Sequence, residues 1–241
     1  MDHPIVKTVA TLVHGGDVDQ AERALVSLAD QEGDRALALV IDALPPRDVI
    51  AILREHDASK ASVITELISP RQFVAAIALE RNYRDKSGRH DALKGMINAA
   101  VFADEARGDE IIEALGADDA GLEALADYFT ERHEEVEHFL RHGNFGIFED
   151  EEFDEVLAAA GDLRDAELAD EGRADIVARG EVEDADWREL AWRLRCDHFE
   201  VFRDVLERLR GRRRAALAAP RPGLGVDDDE EDEDDDGDDV L

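Results

Sequence analysis

Apolar residues recur along this chain at intervals of three and four, and almost nowhere at every second position. That spacing gathers them on one face of a helix, whereas a strand would alternate. Val18, Ala21, Leu25 and Leu28 form one such stripe within Asp17–Leu28, preceded by a shorter helical stretch at Pro4–Val13. The pattern predicts an all-α protein.

The strongest single pattern is a repeat. Leu44–Leu53 (LPPRDVIAIL) returns 24 residues later as Ile68–Ile77 (ISPRQFVAAI). Upstream of each, Asp34–Leu44 matches Asp57–Leu67 at Asp, Ala, Val, Ile and Leu. Each unit reads as two short helices, the aspartate capping the first and a proline in the first turn opening the second, where its missing amide costs nothing. A helical period of this length is the mark of stacked hairpins that bury their apolar stripes against one another. The expected architecture is a superhelical, armadillo-like stack, with Pro4–Val13 and Asp17–Leu28 capping one end.

After a polar break at Arg84–His90, helices are predicted over Asp91–Phe102 and Asp109–Leu115, then a long one over Ala120–Leu140. Its stripe is Leu122, Leu125, Ala126, Phe129, Val136 and Leu140, with Glu131, Glu134, His138 and His142 opposite. Gly143 and Gly146 end it and set a subdomain boundary. Beyond lie helices at Glu151–Ala160, Arg164–Ala169 and Ala185–Arg210, the last carrying Trp187, Leu190, Leu194, Val201, Val205 and Leu209 on one face. Three regions result: a repeat domain over 1–142, a C-terminal helical region over 147–219, and a disordered acidic tail over 220–241, too poor in apolar residues to order itself.

Charge narrows the partners. Acidic residues number 61 against 28 basic ones, a formal net charge of −33, and the excess extends well beyond the acidic run Asp227–Asp239. Such a field repels phosphate backbones and attracts cations and basic proteins, so nucleic acid is not an expected partner. The preference for Arg over Lys, with abundant Asp, also fits a GC-rich or salt-adapted source. The single cysteine, Cys196, excludes an intrachain disulfide or a Cys-cluster zinc site. No apolar run exceeds Phe73–Leu79, so membrane insertion is not expected. The N-terminus lacks a signal-peptide pattern, and the expected location is cytoplasmic.

Candidate chemistry is sparse. Glu134, His138 and His142 share one helical face at four-residue spacing, with Glu131 and Glu135 nearby, a donor set suited to Zn²⁺ or another divalent ion. The plainer reading is Glu-to-His pairs on a wet face. Glu135 and His138 echo half of a di-iron carboxylate site, but no second copy accompanies them. His133 falls on the apolar stripe and reads as a satisfied core histidine, and Cys196 as a packed thiol. Arg208, Arg210, Arg212, Arg213 and Arg214 would complement a helix C-terminus or meet the acidic tail. No phosphate loop, nucleophile elbow or dinucleotide fingerprint occurs, so a non-catalytic protein is expected.

Residues Ile41–Leu53 and Leu67–Ile77 resemble the cytoplasmic N-terminal domain of MgtE magnesium transporters, with its phrases of the L-P-P-x-D-x-A-x-I-L kind, and more distantly the repeats of the flagellar motor protein FliG. The resemblance covers residues 17–80 and extends toward 140. It implies a superhelical stack of short helices that meets other protein surfaces. In that family the domain precedes CBS domains and a membrane channel and lends acidic surface to Mg²⁺-dependent gating; this chain shows neither companion. No metal ligand carries over, because the matching positions are packing residues. What the resemblance implies is an adaptor or regulator with an unknown protein partner, basic surfaces being within reach of the acidic tail. The alternative is a regulator responding to weakly bound Mg²⁺ that bridges carboxylates between helices.

Overall fold

Proline and aspartate determine where the first helices begin. Helix α1 (Pro4–His14) opens on Pro4, and α2 (Val18–Glu32) is capped by Asp17, whose carboxylate accepts from the Gln20 amide. The computed structural model describes residues 3–55, 63–83, 86–161, 176–183 and 186–219. There follow α3 (Asp34–Ala43), α4 (Pro46–Glu55), α5 (Val63–Leu67), α6 (Pro70–Tyr83), α7 (Lys86–Val101), α8 (Glu105–Gly116), α9 (Asp119–Phe129), α10 (His133–His142), α11 (Asp150–Ala159), α12 (Trp187–Asp197) and α13 (Phe199–Ala218). Among the described residues there is no strand, and no helix is long and apolar enough to cross a membrane. The protein is all-helical. The expected helix at Arg164–Ala169 and the acidic tail lie outside the described residues.

The repeat is structural as well as textual. α3 packs on α5 and α4 on α6, equivalent helix against equivalent helix, while α1 and α2 pack together ahead of them. Buried positions recur at a constant interval of 24: Val49 and Phe73, Ile50 and Val74, Ile52 and Ala76, Leu53 and Ile77. The same interval holds upstream, pairing Val40 with Ile64, Ile41 with Thr65 and Leu44 with Ile68. The letter matches of Asp34–Leu44 with Asp57–Leu67 are therefore one residue out of register. Burial sets the alignment, and a one-residue slip would turn Ile68, fully buried, out of the core.

Gln72 uses its place in the second unit to tie the two together. Its side-chain amide donates to the Leu44 carbonyl at 2.5 Å, an acceptor left over at the end of α3. Asp34 does not cap α3 as expected. It is the first helical residue, and the turn before it is made by Gly33, whose φ of +85° suits glycine.

Two helices expected to be continuous are broken. The stretch Ala120–Leu140 divides at a 3₁₀ turn, Thr130–Arg132, where the Thr130 hydroxyl donates back to the Ala126 carbonyl. The stretch Ala185–Arg210 divides at His198, whose backbone leaves the helical region (φ −132°, ψ 50°). Its imidazole lies 3.0 Å from the Asp109 carboxylate of α8. Conversely, α7 begins at Lys86 and α8 at Glu105, earlier than the apolar pattern indicated, the second because Asp104 caps it through the Arg107 amide.

The core runs without interruption from Val6 in α1 to Leu209 in α13, across the glycines at 143 and 146. Phe145, between those glycines, stacks on Phe139 (ring centroids 4.2 Å apart) and meets the Trp187 ring edge-on at 5.2 Å. Gly143 itself, at φ +73°, closes α10 in the left-handed conformation. α13 then returns across α9 and α8.

Candidate binding site

The C-terminal helix brings its arginines to the acids of the body. Arg208 reaches Asp119 (3.0 Å) and Glu123 (3.3 Å), and Arg212 reaches Glu123 and Asp127. Arg213 meets Asp154 at 3.0 Å, and Arg214 donates to the Leu157 carbonyl at 3.3 Å. Arg210 is buried against Glu137. The run expected to complement a helix C-terminus or meet the acidic tail is thus engaged by α9, α10 and α11 of the same chain. Sequence reasoning missed this because every acidic partner lies more than 50 residues away.

Where α10, α11 and α13 meet, a cavity of about 460 Å³ opens to solvent. That is large enough for a small ligand or a pair of side chains. His133, Phe153 and Leu209 form its buried wall, and Glu131, Ile147 and Ala216 its exposed rim. Ile147 is 73% exposed, unusual for a large aliphatic residue on a chain that buries most of them. The Phe153 ring meets the His133 ring edge-on at 5.0 Å and carries the Arg213 guanidinium 5.7 Å above its face.

His133 is in the core, as its place on the stripe indicated, but it is not satisfied. Its Nε2 is buried and has no hydrogen-bond partner. Burial pushes its pKa down to about 4, with Arg210 and Arg213 adding to the fall against the opposing pull of Glu137. The imidazole is therefore neutral at neutral pH, with one ring nitrogen free to accept. Glu134, next in sequence, also lines the cavity. Partial burial raises its pKa above the usual carboxylate range, and the like charges of Asp150, Glu135 and Asp154 raise it further against the pull of Arg213. It is an acid among acids.

The three candidate metal ligands do not share a site. Glu134 faces the cavity, whereas His138 and His142 lie ring against ring (centroids 4.4 Å apart) with Phe148 beside them. His138 Nε2 is 3.1 Å from the Asn144 side-chain oxygen, and its Nδ1 is buried without a hydrogen-bond partner. Burial and the adjacent His138 lower the His142 pKa. Among the described residues, no three His, Cys, Asp or Glu side chains come together as an ion would require. Cys196 sits half-buried on α12.

No family model matches the chain, and no curated protein or solved structure matches it. The chemistry of the site rests on its own residues. In sequence, the only signals for the cavity were a histidine on an apolar stripe and an isoleucine after a glycine.

Proposed function

We propose that this chain is a non-catalytic, cytoplasmic adaptor or regulator, a superhelical stack of MgtE-N-like hairpins that binds a basic partner protein. The observation that carries the reading is the inward commitment of the α13 arginines. Arg208, Arg210, Arg212 and Arg213 are all paired with acids of the fold. What remains outside is predominantly acid, including Asp104, Glu110, Glu113 and Asp118 along α8 and its ends. A surface of that sign steers basic partners and repels nucleic acid.

The constant 24-residue register supports the repeat part of the reading, since such stacks present one extended face. Leu39, 66% exposed on α3, lies outside the packed stripe and offers an apolar contact to a partner.

The test is capture by tagged full-length protein from its native lysate at near-physiological salt, with a Leu39→Asp variant alongside. The expected result is one basic protein in stoichiometric amount, diminished for the variant. Recovery of nucleic acid, or of an assortment of basic proteins insensitive to Leu39→Asp and stripped by modest salt, overturns the reading.

A further inference from the structure

We propose that the cavity between α10, α11 and α13 receives a lysine side chain from a basic partner segment, its ammonium on Glu134 and its methylene stem against Phe153, Leu209 and Ile147. This rests on the reading of the protein as a binder of basic proteins and names the place where recognition occurs.

Two features of the cavity favour that occupant. Glu134 has no hydrogen bond or ion pair within the described fold, and the like charges of Asp150, Glu135 and Asp154 around it outnumber the one opposing guanidinium, Arg213, which is already paired with Asp154, so a cation there relieves repulsion as well as gaining attraction. The buried wall of Phe153 and Leu209, continued outward by Ile147, suits a methylene stem rather than a hydrated ion.

Other occupants fit less well. Arg212 and Arg213 also line the cavity, but their guanidiniums are held by Glu123, Asp127 and Asp154, so an anion would have to displace those carboxylates. The chain's own Asp227–Asp239 run carries the wrong sign. A free polyamine shares the ammonium but has no apolar side chains to use Ile147.

The experiment measures binding of a fluorescein-labelled peptide with one lysine flanked by leucines to the full-length protein at near-physiological salt. Its acetyl-lysine twin and unlabelled spermidine serve as comparisons. Glu134→Gln should weaken the lysine peptide roughly tenfold, the scale of one lost charge pair, and leave the acetyl-lysine peptide unchanged. Glu110→Gln, which removes an exposed charge on α8, should leave both unchanged. Ile147→Ser should weaken both peptides. Equal loss from Glu110→Gln and Glu134→Gln would show only a diffuse acidic field and overturn the proposal. Indifference to acetylation, or spermidine displacing the peptide at equal concentration, would overturn it as well. If Glu134→Gln protein still captured a basic partner as wild type does, the cavity would be removed from the interaction while the interaction itself stood.

Discussion

The guanidinium of Arg210 grips the carboxylate of Glu137 through two nitrogens, Nε donating to one oxygen at 3.0 Å and Nη2 to the other, with both side chains almost wholly buried. The pair joins α13 to α10 in the interior, where the fork of an arginine matches a carboxylate in direction as well as charge. Arg141, half-exposed on α10, adds a contact to Glu137 at 3.2 Å.

Removing one member should be far worse than removing both. Arg210→Met leaves Glu137 buried with only Arg141 beside it, and urea unfolding should show a loss of about 3 kcal/mol. Arg210→Met combined with Glu137→Leu should recover most of that loss, because an apolar pair of similar volume has no desolvation cost to offset. A double variant no more stable than the single one would mean that the pair contributes more than its own burial costs.

Glycine at 108 is required by closeness. A Cβ there would lie 2.1 Å from the Val101 carbonyl oxygen and 2.8 Å from an Arg193 nitrogen. Arg193 itself is fixed, donating to the carbonyls of Val101 (3.0 Å) and Glu105 (2.9 Å) and to the Asp109 carboxylate (2.6 Å). Gly108→Ala should therefore destabilise by about 2 kcal/mol or more. Gly95→Ala, on α7 with open space around the added carbon, should instead stabilise by up to about 1 kcal/mol. Thermal melting of the two variants separates the cases.

His133 links stability to pH. Its pKa falls from 6.5 to about 4 on folding, so the unfolded chain takes up the proton first as pH drops. Its contribution is fully present above about pH 6.5, declines between there and about pH 4, and changes no further below. The whole decline amounts to about 3 kcal/mol. In His133→Gln that component should vanish, and the difference in unfolding free energy between wild type and variant should shrink by this amount from pH 7 to pH 4. A constant difference across that range would show that His133 takes up its proton as readily in the fold as in the unfolded chain.

Magnesium discriminates between the adaptor reading and a cation-responsive one. With no three ligating side chains gathered among the described residues, MgCl₂ should raise the melting temperature no more than KCl at equal ionic strength. A rise specific to Mg²⁺ would favour a regulator that bridges carboxylates between helices.

Much of this fold is legible in the sequence because helix packing writes itself as periodicity. The stripes at Leu122–Phe129 and Trp187–Leu194 are buried as read. The breaks at Thr130 and His198 are not legible, since a kink that keeps the same side toward the core leaves the apolar spacing almost unaltered. The repeat shows a subtler failure: identical letters at Val40 and Val63 suggested a 23-residue register upstream, whereas burial places Val40 opposite Ile64. Chemistry was less legible than architecture. Neither the partners of the α13 arginines nor the orphaned nitrogen of His133 could be inferred, because each depends on which distant helix arrives alongside.

The arginines on α13 also impose an order of assembly. Their acceptors at Asp119, Glu123 and Glu137 precede them by 73 to 89 residues, so a ribosome making this chain releases the acidic half of the lock well before the basic half. Until α13 emerges, the nascent body has a core missing Phe202, Val205, Leu206 and Leu209, and Glu123 and Glu137 have Arg81 and Arg141, but not yet Arg212 and Arg210, for counter-charge. Contacts so distant in sequence are slow to form, and a chain truncated before residue 199 should fail to mature. Synthesis must pass the whole of α13 before the protein can close.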